Sequence, residues 1–127
     1  MQLRQATMRD LPAILALWPQ QGVCGQEPLH PYIASRGRTY VIVNGRNLIG
    51  FVCISRVDAR IVALCVALPY RRCGLGRALL MRAQHYLHWL GARTVRLSPA
   101  PDSQAFYRAL GWQPMSHCTH QWCRRLK

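Results

Sequence analysis

The spacing of hydrophobic residues changes several times along the chain, and each change predicts a new structural element. Residues 2–6 alternate weakly between polar and apolar positions, which predicts a first β-strand. The apolar residues that follow recur at helical spacing: Leu11, Ile14, Leu15 and Trp18. Residues 8–18 are therefore predicted to form an amphipathic helix, capped at its start by Thr7 together with Asp10.

A segment without sustained periodicity comes next. Pro19 ends the first helix, and residues 20–38 contain glycines and prolines but no repeated apolar spacing. We expect a loop there, with one short helix near residues 31–35.

Three apolar runs then predict a meander of antiparallel strands. The first run, residues 39–43, is β-branched and aromatic, and the second covers residues 48–55. Between them, Asn44-Gly45 predicts a hairpin turn whose two central residues both have positive φ. Asp58-Ala59 predicts a second turn. Residues 61–68 are almost continuously apolar, as expected of a strand buried on both faces.

The character of the chain changes after this third run. Residues 69–76 form a break rich in arginine and glycine. The apolar residues beyond it lie on one face of a predicted helix: Leu75, Leu79, Ala83, Tyr86, Leu87 and Leu90. Gly91 is suited to end that helix. Residues 94–97 predict a short strand, which a crossover through the helix would place parallel to residues 61–68.

The last part of the chain predicts one more helix and two strands. Asp102 can cap a helix that runs to Leu110 and is closed by Gly111, and residues 112–115 and 119–124 are predicted strands. With 127 residues and no repeat or linker, the chain is expected to form a single domain, residues 1–127. The expected fold class is α/β in the broad sense (α+β), a mixed and mostly antiparallel sheet flanked by helices.

Composition adds a strong positive charge to this picture. The chain has 17 Lys and Arg against 4 Asp and Glu, a net charge of +13, and Lys127 is its single lysine. Such a charge favours an anionic partner, either a nucleic acid, an acidic protein, membrane phosphate or a phosphorylated cofactor. Nucleic acid stays a candidate without support from a motif, because aromatic residues are not interleaved with the basic runs.

The cysteines and the N-terminal residues indicate in which cellular compartment the protein is expected. Residues 1–4 lack the apolar stretch of a signal peptide, and no run approaches 18 apolar residues. We therefore expect a cytoplasmic protein with reduced thiols and no membrane contact. A cluster of metal-ligating types ends the chain: His117, Cys118, His120 and Cys123. On a strand these residues would face opposite sides, so no metal site is expected.

The segment at residues 61–90 carries the strongest chemical signal. Gly74 and Gly76 remove side chains where a ligand approaches main chain, and the first amides of a helix favour an anion. Three arginines add charge: Arg71, Arg72 and Arg77. The segment predicts a phosphate cradle made largely of backbone N–H groups. The alternative is a tight strand-to-helix turn with incidental arginines.

Two motifs in this chain resemble those of the GCN5-related N-acetyltransferases (GNAT). Residues 66–80 resemble the family signature Q/R-x-x-G-x-G/A, here Arg71, Gly74 and Gly76, and residues 103–112 resemble its FYxxxGF helix. The order of predicted elements agrees, so the resemblance covers nearly the whole chain. It implies the GNAT fold, in which the central sheet is splayed between two parallel strands, here residues 61–68 and 94–97.

The resemblance also implies that the chain binds acetyl-CoA as its acyl donor. The pyrophosphate would lie on the amides of residues 72–77, and the pantetheine arm would pair with the backbone of Val66 and Leu68 like an extra strand. Tyr107 would be the general acid that assists the departing sulfur, its alternative being a core aromatic. The implied cofactor-binding residues are Val66, Ala67, Leu68, Arg71, Arg72, Cys73, Gly74, Leu75, Gly76, Arg77, Ala78 and Tyr107.

A general base is not evident in the sequence. Many relatives place a glutamate on the strand before the loop, where this chain has only apolar residues and Cys65. Glu27, His30 or a water chain to bulk solvent are the alternatives. Ser98 and Ala100 stand near the place where relatives often carry an asparagine that contacts the cofactor.

Two functions follow from the resemblance and stay open. The first is an N-acetyltransferase that moves an acetyl group to a primary amine by direct attack in a ternary complex. The second is a non-catalytic acetyl-CoA-binding regulator of a partner protein, similar to the PanZ/PanM-type maturation factors of aspartate decarboxylase. The acceptor would be a small molecule or a protein, and the scarcity of acidic residues favours an anionic or neutral amine.

Overall fold

One seven-stranded sheet organises the molecule. The computed structural model describes residues 1–18, 28–116 and 118–126, with only the backbone of residues 118 and 119. The strands are β1 (Gln2–Gln5), β2 (Gly37–Asn44), β3 (Asn47–Ser55), β4 (Arg60–Val66), β5 (Thr94–Leu97), β6 (Gln113–Met115) and β7 (Cys118–Arg125). The α-helices are α1 (Leu11–Leu17), α2 (His30–Ala34), α3 (Leu75–Trp89) and α4 (Gln104–Ala109).

The sheet is mixed and mostly antiparallel, which confirms the predicted fold class. Its strands lie in the order β1-β2-β3-β4-β5-β7-β6, and β4 and β5 are the parallel pair. The chain passes from β4 to β5 through α3. Strands β2, β3 and β4 form the predicted antiparallel meander, and β1 pairs antiparallel with β2 at its edge.

The parallel pair is splayed. Arg60 and Arg96 are the only Cα partners recorded between β4 and β5 in the described chain, whereas β3 pairs with β4 along its whole length. The two parallel strands therefore touch near the start of β4 and separate toward Val66. This wedge is the feature of the fold that positions the site.

Helices cover both faces of the sheet. On one face, α3 and α4 pack over a core that includes Leu79, Leu87 and Tyr107. On the other face, α1 and α2 cover a second cluster that includes Ile14, Tyr32 and Phe51. The predicted helix near residues 31–35 is confirmed as α2.

The first helix is shorter than predicted. Residues 8–10 form a 3₁₀ turn, and the α-helix occupies only Leu11–Leu17. The Thr7 N–H donates to the Asp10 carboxylate at 2.8 Å, so the predicted pair does close the start of this segment. Pro19, Glu27 and His117 lie outside the described residues.

Strand β2 begins inside the predicted loop, two residues before the expected start at residue 39. Gly37 makes this possible, because a Cβ there would lie 1.7 Å from the Ile54 carbonyl oxygen on β3. The backbones of the two strands approach too closely at this point for a side chain. The pattern of apolar residues does not register such an approach, because glycine contributes no hydrophobic side chain.

The hairpin turn between β2 and β3 lies one residue later than predicted. Asn44 pairs with Asn47, so Gly45 and Arg46 are the central residues. Gly45 has a φ of +63°, and Arg46 is not among the residues with positive φ. A turn that has a positive φ only at its first central position also matches the twist of the two strands, and it needs glycine at that position only. The predicted turn near Asp58 is confirmed, with Ala59 at a φ of +50°.

Three further sequence predictions are wrong. Strand β4 ends at Val66 and is not buried on both faces: its residues alternate between buried and half-buried, because the wedge leaves one side open. Leu90 does not continue the buried face of α3, since the helix ends at Trp89 and the chain turns there. Asp102 does not cap the last helix, because it lies in a 3₁₀ turn and α4 begins at Gln104.

Candidate active site

The wedge between the parallel strands opens into a crevice of about 590 Å³. Strand β4 forms one wall, and residues 97–100 with α4 form the opposite wall. The segment that joins β4 to α3 lies at the mouth. Trp18 and Leu29, which border the undescribed residues 19–27, also line the crevice.

Beyond Arg60, the edge of β4 that faces the crevice carries main-chain groups that pair with no neighbouring strand in the described part of the chain. The Ala67 N–H donates to the Ile49 carbonyl of β3 at 2.8 Å. Along an antiparallel strand the direction of these groups alternates, so Cys65 also faces β3 while Leu64 and Val66 face the opposite edge. The Arg71 Nε donates to the Val66 carbonyl at 3.0 Å from that edge, in agreement with this assignment.

The junction between β4 and α3 presents a concave set of amides. Arg72 and Gly74 both have positive φ, +62° and +83°. The Gly74 carbonyl accepts the Ala78 N–H at 3.0 Å, so the first turn of α3 starts here. The amides of Leu75, Gly76 and Arg77 precede the first intrahelical bond of the helix and point toward its N-terminal end. Together with the helix dipole, they favour an anion at this position.

Positive side chains surround these amides. Arg71, Arg72 and Arg77 are exposed and line the mouth of the crevice. Asp102 lies on the same lining, as the one carboxylate found there within the described residues. The mouth therefore carries an excess of positive charge, and it suits a ligand with several phosphate charges.

The predicted cofactor residues fall into two groups. Those that line the crevice are Val66, Leu68, Arg71, Arg72, Gly74, Gly76, Arg77 and Tyr107. The side chains of the other four lie away from it. Ala67 is bound to β3 through its amide, and the Cys73 Sγ points back to the Arg71 carbonyl at 3.5 Å. Leu75 packs on the core, and Ala78 lies on the outer side of α3.

Tyr107 projects from α4 into the crevice wall. Its ring packs edge-on against Phe106 and Trp112, with centroids 5.0 and 5.8 Å away, and only 7% of the residue is exposed. Burial raises the pKa of the Tyr107 phenol above its usual range. The hydroxyl is therefore protonated at neutral pH, as a proton donor has to be. The structure places Tyr107 both in the core and at the crevice, so the two sequence interpretations of this residue are compatible.

Within the described residues, Asp102 is the one carboxylate that lines the crevice, and β4 contributes no carboxylate or imidazole to it. Asp58 lies in the turn before β4 and does not line the crevice; partial burial acts to raise its pKa, but hydrogen bonds from Ser55 and Arg60 outweigh this effect, and the pKa is lowered overall. The Cys65 thiol lines the crevice, and burial raises its pKa to about 12. His30 is exposed at the start of α2 and does not line the crevice. Glu27 is outside the described residues.

The sequence alone did not indicate that Trp18, Leu29 and Arg60 border the crevice. Trp18 packs edge-on against Phe51 at 5.8 Å, which brings the end of α1 over the sheet. The only sequence signal was the aromatic residue before Pro19. Within the described part of the chain, no group of three or more His, Cys, Asp or Glu side chains is placed to hold a metal ion. None of the helices described is long and apolar enough to cross a membrane.

A family model described as an acetyltransferase (GNAT) domain matches residues 35–114. A search against curated protein sequences gave no match. The matched range contains β2 to β5, the amide cradle, α4 and Tyr107. It therefore covers both motifs on which the resemblance was based.

Solved structures of acetyltransferases share the fold. N-acetylglutamate synthase from Neisseria gonorrhoeae, complexed with coenzyme A and N-acetyl-glutamate, matches with a TM-score of 0.81 and 22% identity over 99% of this chain. This chain spans only 35% of that protein. The ribosomal-protein-S18-alanine N-acetyltransferase from Escherichia coli gives a TM-score of 0.76 and 18% identity, with 99% and 94% of the two chains covered. Tetrahymena GCN5 gives 0.80 and 11%, with 100% and 97% covered.

The splayed sheet, the amide cradle and the family match lead to one assignment. The chain belongs to the GNAT family, a family of acetyltransferases whose acyl donor is acetyl-CoA.

Proposed function

We propose that this chain transfers the acetyl group of acetyl-CoA to a primary amine by direct attack in a ternary complex. One observation carries the proposal: a single crevice joins the free edge of β4 to the amide cradle at the start of α3. An extended arm that ends in a diphosphate fits both parts at once. The relatives of this fold include a protein acetyltransferase and an enzyme bound to a small acetylated product. They support an amine acceptor but do not identify it.

The residues of the crevice divide the binding task. Amides of residues 74–77, with Arg72 and Arg77, would hold the diphosphate. The main-chain groups of Leu64 and Val66 would pair with the amides of the pantetheine arm. Leu64 takes the place that the resemblance gave to Leu68, because β4 ends at Val66 and Leu68 lies in a 3₁₀ turn. Arg71 now bonds the Val66 carbonyl, so its guanidinium must leave that carbonyl when the arm pairs there and would then face the phosphates.

Tyr107 supplies the proton that the reaction needs at sulfur. The amine nitrogen forms a bond to the acetyl carbon, the bond from that carbon to sulfur breaks, and the sulfur takes the proton of the Tyr107 hydroxyl. A main-chain N–H on the free edge of β4 would polarise the acetyl carbonyl. The amine loses its proton to water, because β4 places no basic side chain beside the acetyl group from Ile61 to Val66. Bulk solvent then restores the phenol.

A thermal-shift measurement with acetyl-CoA, coenzyme A and free pantetheine tests the binding half of the proposal. Acetyl-CoA at a concentration of 100 times its Kd should stabilise the protein by about 2.7 kcal/mol. Free pantetheine lacks the diphosphate and should give a much smaller shift. Equal shifts with pantetheine and coenzyme A would contradict the role of the amide cradle.

A non-catalytic regulator is the second candidate function. It is favoured by the wall of β4, where every residue from Ile61 to Val66 is apolar or a high-pKa thiol. Release of free thiol from acetyl-CoA in the presence of a panel of primary amines separates the two functions. Amine-dependent release means turnover, whereas strong binding without release under any amine means a regulator.

A further inference from the structure

A second basic surface lies on the flank of α3 that faces β2, outside the crevice. Arg38 of β2 stacks over the ring of Tyr86 at 4.5 Å, and Arg82 of α3 stacks over the ring of Tyr40 at 5.0 Å. The two tyrosine rings are themselves edge-on at 6.4 Å. Both tyrosines are buried, 4% and 6% exposed, so each guanidinium rests on a fixed support.

Neither arginine is paired with a carboxylate among the residues that the structure describes. Of the described carboxylates, Asp10 binds Arg4, Asp58 binds Arg60, and Asp102 lines the crevice. None of them pairs with Arg38 or Arg82 in the described part of the chain. Stacking on a ring occupies the face of a guanidinium and leaves its N–H edge to bind an oxyanion.

An exposed aromatic side chain lies on the same flank. Trp89 is seven residues after Arg82, two helical turns or about 10 Å along α3. It is 77% exposed, which is unusual for the largest apolar side chain. His85 is also exposed and lies between them on the same side of the helix. Leu90, which the sequence pattern places on the apolar face of the predicted helix, is exposed beside Trp89.

We propose that this flank of α3, defined by Arg38, Arg82, His85 and Trp89, binds single-stranded nucleic acid. The two supported guanidinium groups would take phosphates, and the Trp89 ring would stack on a base. The net charge of +13 would add long-range attraction. The linear sequence does not interleave aromatic residues with basic ones, but the helix and the neighbouring strand bring them together. An acidic protein would satisfy the arginines but has no need of an exposed, unpartnered indole.

Fluorescence anisotropy with a 5′-labelled 20-nucleotide oligo(A) RNA tests this proposal. R38Q/R82Q should weaken binding at least tenfold and make the salt dependence shallower by about 1.4 in log–log slope, since each phosphate on a single strand contributes about 0.7. W89A should weaken binding roughly tenfold with an unchanged slope, because stacking releases no counterions. R38K/R82K should recover the slope of the wild type.

The matched control is R9Q/R46Q, which removes two exposed arginines that are not part of this flank and changes the net charge equally. It should weaken binding less than threefold. Equal losses in the control and in R38Q/R82Q would overturn the proposal, because net charge alone would then explain the binding. Two further results would overturn it. The first is that W89A binds the RNA as tightly as the wild type does and that polyglutamate competes for the protein as well as unlabelled RNA does. The second is that the wild-type protein does not bind the RNA in 50 mM salt. The acetyl-CoA thermal shift, which uses none of these residues, verifies that every variant is folded.

Discussion

At the scale of single residues, Tyr107 gives the sharpest chemical prediction. The substitution Y107F keeps the ring contacts with Phe106 and Trp112 and removes only the hydroxyl. We expect kcat to fall roughly 100-fold with little change in the KM for acetyl-CoA, because the proton is needed only as sulfur departs. Steady-state kinetics measure both constants. An unchanged kcat would remove Tyr107 from the mechanism.

The buried thiols predict how stability depends on alkaline pH. Burial raises the pKa of both Cys53 and Cys65 to about 12, against a usual value of 9.0. Above pH 9 the unfolded chain loses thiol protons that the folded chain retains, so stability declines as the pH rises from about 9 to 12. Urea unfolding at pH 8 and pH 10.5 measures the loss.

The double variant C53A/C65A is expected to reduce this pH dependence. Cys73, which is exposed in the loop, provides the matched control C73A. If C53A/C65A and C73A reduce the pH dependence equally, burial of the two core thiols is not its source.

At the scale of elements, the junction of β4 and α3 depends on Gly76. A Cβ at this position would lie 3.5 Å from the Phe106 ring and 3.9 Å from Val66, at ordinary contact distance. The variant G76A should therefore unfold at nearly the wild-type temperature. The methyl group would nevertheless stand in the crevice mouth, and we expect the Kd for acetyl-CoA to rise roughly tenfold, equivalent to one lost hydrogen bond. The affinity is measured by titration calorimetry. An unaltered affinity for acetyl-CoA would contradict the assignment of this junction as the mouth of the crevice.

The pairing of β2 with β3 depends on Gly37. Because a Cβ there would overlap the Ile54 carbonyl oxygen, G37A has to push the two strands apart. We expect a loss of about 3 kcal/mol or more in the free energy of unfolding, measured by urea denaturation. G76A is a suitable control, since Gly76 does not have a positive φ and a Cβ there would meet its neighbours at ordinary contact distances of 3.5 Å or more. A loss no larger than that of the control would show that the strands can separate at little cost.

Local patterns predicted the elements better than their ends. Apolar runs and helical spacing are properties of neighbouring residues, so they predict the meander and α3. The end of β4 was placed at Leu68, which in fact lies in a 3₁₀ turn and is 66% exposed. Apolar residues that line a crevice have the same composition as residues of a core. The separation of β4 from β5 depends on tertiary structure, and the amino-acid sequence of neither strand indicates it.

At the scale of the whole molecule, the site combines segments that are far apart in sequence. The two motifs predicted the loop and Tyr107, but the crevice also takes in Trp18, Leu29 and residues 97–100. These residues reach it because α1 and α2 cover one face of the sheet while α4 follows β5. The amide cradle could be inferred because glycine and a helix start are local signals. The general base could not, because the β4 wall of the crevice carries only apolar residues and the Cys65 thiol from Ile61 to Val66.

The most direct measurement of the central claim is amide hydrogen exchange, resolved by NMR, with and without coenzyme A. The free edge of β4 predicts new protection at Leu64 and Val66, with Cys65 and Ala67 already protected by β3 in both states. The amide cradle predicts new protection at Gly74 to Arg77. Protection at alternate residues of β4 together with the start of α3 is the expected result. Protection confined to other regions, or equal at Leu64 and Cys65, would contradict this account of how the crevice holds its acyl donor.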